Sequence, residues 1–582
     1  MGGDSALKKI NDRFTGNMFR RLFLPSLFSA FGLAFADMAD ALVVGQRMGA
    51  TGLAAISLSL PVYMIINLFM HGFGGGGSVR YSKLLGEGRK DDAVRSFNRV
   101  AQAALAVSIV MAVLGNLFLE PLLSVLGAAP ENQELYNASR EYVQIIVCGI
   151  PLFFFAYILN YYLRNDDNQR LASVAFIIGN AVDIGLNILF VLVLDLGVKG
   201  AAYSTLIGYA VSICCYLPGL FSKKHTLRVR TVRPGIREAF SCFATGFSTS
   251  SQYLMQMLFF IIVNNTLLRM MNGSESGVAV FDMLQNASYL VLYLYDAAAK
   301  AAQPLASTYC GEQNRQGERN TLRYALIFGS LAGAAMALLL CLFPHTICAL
   351  FGLGEASLIA MATPALRIYC GGLLLAGVSI ILESYFQSCD REKAAFALTL
   401  LRGAVILLPV TLLFSLCFPI ALFWWLFPVT EALTLLLFFV LLPRFKRKAL
   451  PAERILERTI KNKNEDLGDL TQAAEVFCEQ WEATPKQTYF VTMTIEEICL
   501  AIMLNAFDQT ENGFIQMTLV ALPDGLFELH LRDNATAFDP FSLVTEGAGF
   551  NIDAAGMTVI KNKAKDFFYR RYQGFNALVV RI

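Results

Sequence analysis

Twelve long apolar runs along the first 445 positions set the terms for what this chain can fold into. They fall near residues 19–45, 53–75, 98–119, 140–163, 171–194 and 199–221. A second set falls near 240–270, 277–300, 321–344, 362–387, 394–417 and 420–442. A helix of about 20 apolar residues crosses a bilayer, and a backbone immersed in lipid must satisfy its own hydrogen bonds. Each run therefore predicts a transmembrane helix. Only 16% of the 582 residues are charged, against about 25% in a soluble globular chain. The expected fold class is an all-α polytopic membrane protein of about twelve helices with a small α/β domain behind it, and the lipid bilayer is its first partner. The formal charge of +2 and the placement of basic residues at the ends of runs argue against a nucleic-acid partner.

The two sets of runs are related. Gly52 and Gly277 stand 225 residues apart, and at the same offset Ala54 meets Ala279, Ser82 meets Ser307, Gly86 meets Gly311 and Glu87 meets Glu312. Long-period duplication of hydrophobic segments marks transporters built from two related bundles. The expected division is a first six-helix bundle at 1–222, a connection at 223–239, a second bundle at 240–445, a charged linker at 446–466 and an α/β domain at 467–582. The basic loops all fall on one side if there are twelve spans. They include Arg80, Lys83, Arg89, Lys90 and Arg95; Lys223, Lys224, Arg228, Arg230, Arg233 and Arg237; Arg315, Arg319 and Arg323; and Arg444, Lys446, Arg447 and Lys448. Positive charge stays inside, so a multi-pass protein of the inner (plasma) membrane with both termini cytoplasmic is expected. The polar N-terminus does not resemble a cleaved signal peptide, so the first span is expected to serve as the insertion signal. The 12 cysteines are scattered through apolar segments without metal spacing and read as apolar fillers.

Several polar groups interrupt the runs. Asp37 and Asp40 lie one turn apart in the first span, and Asn180, Asp183 and Asn187 share a face of the fifth. A carboxylate at the bilayer centre costs about 3 kcal/mol or more to insert. These five residues are therefore candidates for a cation-coupling site, with Asp40 and Asp183 as ligands if the ion is Na⁺ and as carriers if it is H⁺. Structural hydrogen bonding between helices is the alternative. Glu383 and Glu431 are further in-membrane acids. With an aromatic content of 12% they suit a cavity for a lipophilic cation; pairing of Glu431 with Arg402 is the competing reading. Gly72 and Gly74–Gly77 lack a following GK[ST] and indicate close helix approach or a hinge. Past Pro451, helices at Leu470–Trp481 and Thr492–Phe507 are expected, then strands in FIQMTLVAL, LFELHLRD and ALVVRI, the first two joined by a Pro-Asp-Gly turn.

At these residues the chain resembles the MATE family of multidrug and toxin extrusion transporters, over about residues 15–445. MADALVVGQRMGATGLAA resembles the family's VDxxxVGxxG…LAA, with Asp40 in place of its Asp. YLRNDDNQRLA, GVKGAAYST, AAQPLASTYCGEQNRQ and YFQSCDREKAAFALTLLRGAVILLP resemble later family segments in order. The resemblance implies two six-helix bundles around a central cavity, and antiport of amphipathic or cationic compounds against Na⁺ or H⁺. In the fifth span the family has Asn, then Asp four residues later; here Asp183 precedes Asn187, which leaves the choice of ion open.

The last domain resembles the histidine-kinase-like (GHKL) ATPases, closest to anti-sigma-factor serine kinases, through TIEEICLAIMLNAF, LRDNATAFDP and EGAGFNIDAAG. The resemblance implies Glu497 as the family's base and Asp533 as its adenine reader. Ala501 stands where the family has its Mg²⁺-holding Asn, Ala535 and Ala537 replace two glycines, and Gly547 and Gly549 keep the phosphate turn. Without the metal ligand, phosphoryl transfer has no support. A degenerate pocket in a regulatory or protein-binding domain is expected, with adenine-nucleotide sensing without turnover as the alternative. No resident cofactor is expected, and the chain reads as a transporter and not an enzyme. Flipping of lipid-linked precursors, or sensing through the tail, are the competing functions; the scarcity of Arg and Lys inside the spans counts against the first.

Overall fold

The fold is seen in a computed structural model that describes residues 2–86, 90–128, 130–166, 168–221, 226–389, 391–445, 450–507, 513–544, 555–572 and 575–582. The first bundle contains α1 (Gly2–Gly86), α2 (Lys90–Leu117), α3 (Leu119–Leu126), α4 (Gln133–Asn165), α5 (Gln169–Asn187) and α6 (Gly197–Phe221). The second contains α7 (Ile236–Met270), α8 (Ser276–Gly311), α9 (Arg315–Leu342), α10 (Pro344–Leu350), α11 (Ala356–Ser388), α12 (Glu392–Leu400), α13 (Leu407–Cys417), α14 (Ile420–Phe423) and α15 (Leu426–Leu441). Among the described residues twelve helices are long and apolar enough to cross a membrane, which makes this a multi-pass membrane protein.

Two of those twelve need a closer look. The first and second apolar runs are legs of the single element α1, which breaks at Gly49 with φ 57° and ψ −136°, a geometry that only glycine adopts without strain. Another, Pro485–Asn505, belongs to the C-terminal domain, where it packs on a sheet. With α1 counted as two crossings and that helix removed, twelve crossings remain.

The 225-residue offset reappears as architecture. The short helices α3 and α10 begin at matching positions and end at Gly127 (φ 102°) and Gly352 (φ 74°), again 225 residues apart. Each seats on the leading helix of the opposite bundle. Asn265 Nδ2 on α7 donates to the Val125 carbonyl at 3.0 Å, and Gln46 Nε2 on α1 donates to the Ala349 and Leu350 carbonyls at 2.6 Å each. Glu275, accepting from Thr51 (3.3 Å) and Asn132 (2.5 Å), adds to the same seam. The glycine cluster serves close approach: a Cβ on Gly76 would stand 1.8 Å from the Cys242 carbonyl oxygen of α7, and one on Gly74 would stand 2.7 Å from the Tyr161 ring of α4.

The C-terminal domain follows β1 (Ile455–Lys461), α16 (Asn464–Gln480), α17 (Pro485–Asn505), β2 (Phe514–Ala521), β3 (Phe527–Asp533), α18 (Ala555–Lys563), β4 (Asp566–Tyr572) and β5 (Phe575–Arg581). Its sheet runs β1-β2-β3-β5-β4, every pair antiparallel. The stretch ERILERTIK, expected as charged linker, forms β1 and pairs with β2 from Ile455↔Val520 to Lys461↔Phe514. Its charges concealed an edge strand, because an edge tolerates them. α17 starts seven residues before the apolar pattern suggests, at a capping box in which Thr484 and Gln487 bond each other's backbone N–H, with Pro485 in the first turn. The hydrophobic core of the domain lies between the three helices and one sheet face, which carries Ile515, Met517, Leu519, Leu529, Leu531, Leu578 and Val580.

Candidate functional site

The carboxylates of the first bundle come together where α1 meets α5. Asn187, wholly buried, donates its Nδ2 to Asp40 Oδ1. Asp183 lies one turn earlier on the same face, half-buried. The α6 hydroxyls of Ser204 and Thr205 reach its carboxylate. They do so because α6 is thin there: a Cβ on Gly208 would lie 2.8 Å from Asp183 Cβ. Among the described residues, Asp183 Oδ1 and Asn187 Oδ1 are buried without a hydrogen-bond partner. Asn180 is half-buried one turn further back along α5. The Asp37 side chain lies outside the described residues.

Backbone geometry marks this site. Directly after Asn187, α5 widens into a π-helical turn at Ile188–Val193, and Leu194 N bonds the Leu189 carbonyl at 2.9 Å. π turns inside α-helices recur at functional positions because they displace side chains from the regular ladder. The corresponding helix of the second bundle does the same, at Leu401–Val405 between α12 and α13.

That second π turn carries Arg402, whose Nε donates to Glu431 Oε1 at 2.8 Å; Ser379 Oγ stands 3.5 Å from the other oxygen. Glu431 is thus paired with the arginine that the sequence offered as its partner. Glu383 accepts from Thr399 Oγ1 at 2.6 Å. The two π turns therefore have different surroundings. The first follows buried acceptor oxygens, while the second carries a base already matched to an acid.

An aromatic column runs from the Asp40 region toward the C-terminal end of α1. The Tyr63 and Tyr142 hydroxyls lie 3.2 Å apart, within electrostatic reach of Asp40 and Asp183. Phe153, Tyr209 and Tyr157 continue it, with centroids 4.8 Å and 5.9 Å apart in sequence. It ends at His71, which lies 2.6 Å from the Tyr161 hydroxyl and stacks on Tyr253 of the second bundle at 5.0 Å. Sequence reasoning missed this column, since tyrosines scattered over four helices have no linear spacing. It also passed over Asp282, 1% exposed on α8, whose Oδ2 accepts from Asn286 at 3.1 Å and whose Oδ1 has no partner among the described residues. The signal was present: an acid and an Asn one turn apart in an apolar run, the same pattern that singled out Asp183.

The donor set of the first bundle is carboxylate and amide oxygen, the chemistry of a hard cation or a proton. Among the described residues no three His, Cys, Asp or Glu side chains cluster as a transition-metal site would require.

In the C-terminal domain Asp533 is buried, and its Oδ1 already accepts from the Ala535 N–H (2.9 Å) and Asn576 Nδ2 (2.8 Å). Glu497 on α17 lies under the start of α18, where a Cβ on Gly556 would be 2.2 Å from its Cδ. Ala501 is buried one turn further along α17. Gly547 and Gly549 lie outside the described residues.

Comparison with known proteins places these features. The chain is 23% identical to "Probable multidrug resistance protein YoeA" of Bacillus subtilis over 63% of this chain and 80% of the relative. It is 23% identical to "FAD transporter" of Shewanella oneidensis over 69% and 88%, and 22% identical to "Multidrug export protein MepA" of Staphylococcus haemolyticus over 61% and 77%. Among solved structures, an inward-facing multidrug resistance MATE family transporter superimposes with a TM-score of 0.63 at 21% identity, covering 72% of this chain and 96% of that one. The MATE multidrug transporter DinF-BH, solved in complex with a dye, superimposes with a TM-score of 0.57 at 26% identity, covering 74% and 95%. The MatE family pattern matches twice, at residues 25–189 and 247–413, one match in each bundle. With more than half of its length matched, and matched in duplicate, the chain belongs to the MatE family and is a membrane transporter, not an enzyme.

Proposed function

We propose that this protein exports amphipathic, cationic small molecules by secondary antiport, driven by inward movement of Na⁺ or H⁺ at the Asp40–Asp183–Asn187 cluster. The observation that carries the reading is the pair of buried acceptor oxygens, Asp183 Oδ1 and Asn187 Oδ1, beside Asp40. Buried charge is retained in a membrane where it is used. A cation or proton arriving there would find acceptors in place, and its departure would leave uncompensated negative charge that favours a different helix arrangement. The aromatic column offers faces for a lipophilic cation. The relatives named as multidrug export proteins and the dye-bound neighbour support the substrate class. Orientation in the inner membrane follows from the basic loops, with both termini in the cytoplasm.

The relative named FAD transporter favours an anionic cargo as the second reading. A cavity for it would want free cations, whereas Arg402 is spoken for by Glu431 and Arg269 by Ser415. For the C-terminal domain we infer a degenerate GHKL-like module that regulates the transporter without turning over nucleotide. Its strand and helix order supports this, as do Ala501 in place of a metal ligand and an Asp533 carboxylate already engaged with Asn576.

The test uses proteoliposomes without ATP, a Na⁺ or pH gradient, and a fluorescent lipophilic cation. Wild type is expected to move the dye with one gradient, and Asp40→Asn and Asp183→Asn to lose about tenfold or more of that rate. Folded wild-type protein that moves no cation with either gradient would overturn the drug-export reading; movement of FAD instead would establish the second.

A further inference from the structure

The polar face of the C-terminal sheet ought to be wet. Alternation along FIQMTLVA sends Ile515, Met517 and Leu519 to the core and should leave Gln516 and Thr518 to solvent. Yet all eight residues of β2 are buried, Gln516 to 2% and Thr518 to 1% exposure. The transporter itself covers them. Arg532 on β3 donates Nη2 to Glu312 at 2.5 Å, and its guanidinium lies 4.6 Å from the centre of the Tyr309 ring. Asn314 Nδ2 donates to Thr518 Oγ1 at 3.0 Å. The Arg315 N–H donates to Glu457 at 2.7 Å, and its side chain donates to the Leu450 carbonyl at 2.5 Å.

These partners sit at the turn from α8 to α9, in the second bundle. The same sheet also grips the first. Phe14, near the inner end of α1, meets Phe514 and Phe575 edge-on at 6.3 Å and 6.1 Å, and all three belong to the apolar core of the membrane domain. Arg21, two turns further along α1, lies 5.7 Å from the Phe575 ring. Between the two anchor points Thr15 Oγ1 lies 3.1 Å from the Tyr309 hydroxyl. α1 is the helix that carries Asp40.

We propose that the C-terminal domain is a clamp: docked, it ties the inner end of α1 to the α8–α9 turn and holds the transporter in one arrangement, and undocked, it releases α1 to move. The contacts favour an all-or-none device. A buried Arg–Glu pair under an aromatic ring cannot be half-broken without leaving a charge buried and unmatched, so sliding is disfavoured and the states are docked or free. Apart from the Phe14, Phe514 and Phe575 contact and the Tyr309 ring, the members of the interface are Arg, Glu, Asn, Gln and Thr, which water can solvate when the faces separate. The proposal deepens the regulatory reading of this domain, and its rate arm rests on the export reading.

The experiment uses full-length protein in nanodiscs and proteoliposomes, with Arg532→Glu, Glu312→Arg, the double charge swap, and Phe14→Ala. Hydrogen exchange reads the docking. Each single variant is expected to lose about tenfold or more of its protection at residues 14–23 and 309–315, while α17 keeps its own, and the double swap is expected to restore both segments. Gradient-driven export is expected to rise about tenfold in the single variants and fall back in the swap. Unchanged exchange in the single variants overturns the clamp, as does loss of docking with a constant or lower export rate. If α17 also loses protection in Arg532→Glu, Phe14→Ala decides, because it removes an anchor without touching the C-terminal domain. The exchange arm needs no substrate, so a clamp that fails while export persists, and export that fails while docking responds, are separate results.

Discussion

The two bundles share a plan and differ in charge. Each widens its fifth helix into a π turn, at Ile188–Val193 and at Leu401–Val405, beside polar side chains inside the membrane. In the first bundle the turn follows Asn187, which serves Asp40 and leaves acceptor oxygens over. In the second it carries Arg402, which satisfies Glu431. The two π turns lie in corresponding helices but not at equivalent positions, since at the 225-residue offset Ile188 meets Leu413, inside α13. The contrast lies at the two π turns, not in every acid of the two bundles, since Asp282 on α8 also keeps a buried oxygen without a partner among the described residues. A buried carboxylate oxygen without a partner, such as Asp183 Oδ1, is costly to keep, whereas a matched pair holds helices together.

The sharpest way to break this contrast is to remove one charge from each copy. Asp183→Asn is expected to cost export and not folding, because the Ser204 and Thr205 hydroxyls that reach the carboxylate can bond an amide as well. Arg402→Met is expected to cost folding, by about 2–3 kcal/mol, since half-buried Glu431 is then left with only the Ser379 hydroxyl among the described residues, and Arg402→Met/Glu431→Gln should recover most of the loss. Thermal unfolding of the purified protein measures both. Equal destabilisation by Asp183→Asn and Arg402→Met would erase the distinction between the two π turns.

Outside the membrane the comparison extends to the C-terminal domain, where charge pairing makes stability pH-dependent. His530 beside it, then Arg581, hold the Glu528 carboxyl down to about 2 against the opposing effect of burial. A depressed folded-state value means that the stabilisation is complete above about pH 4.5 and lost as pH falls toward 2. Its size is at most about 3 kcal/mol. Glu528→Gln should flatten that acid limb in a pH series of unfolding followed on the full chain. An unaltered limb would show that other carboxylates carry it.

A smaller contrast separates the matching glycines. A Cβ at Gly352 would stand 1.8 Å from the Gly45 carbonyl oxygen, whereas at Gly127 it meets the tip of Leu268 at 2.7 Å. Both have positive φ, so both alanine variants pay strain, but backbone yields less than a side chain. Gly352→Ala is expected to cost about 2–3 kcal/mol and Gly127→Ala about 1 kcal/mol. Equal losses would mean that the seam on α1 is as adaptable as the seam on α7.

Some of this was readable along the chain and some was not. Spans, duplication, the acids at 40 and 183 and the strands in FIQMTLVAL and LFELHLRD are local patterns, since lipid and a half-buried sheet each impose a period on hydrophobicity. Other features fall outside those patterns. A charged strand such as ERILERTIK has no apolar alternation to show, and a capping box lies outside the hydrophobic stripe it starts. Asp282 was legible and overlooked.

What the sequence determined by itself is therefore the membrane class, the two-bundle plan and the presence of acids where lipid makes acids expensive. What only the tertiary structure decided is pairing: that Asn187 serves Asp40, that Arg402 neutralises Glu431, that tyrosines from four helices line one column, and that a polar sheet face is covered by the α8–α9 turn. Periodicity is set by neighbours along a helix or strand, a few residues away. Pairing depends on contacts such as Arg532 with Glu312, whose members lie 220 residues apart and meet only once every helix and strand between them is in place.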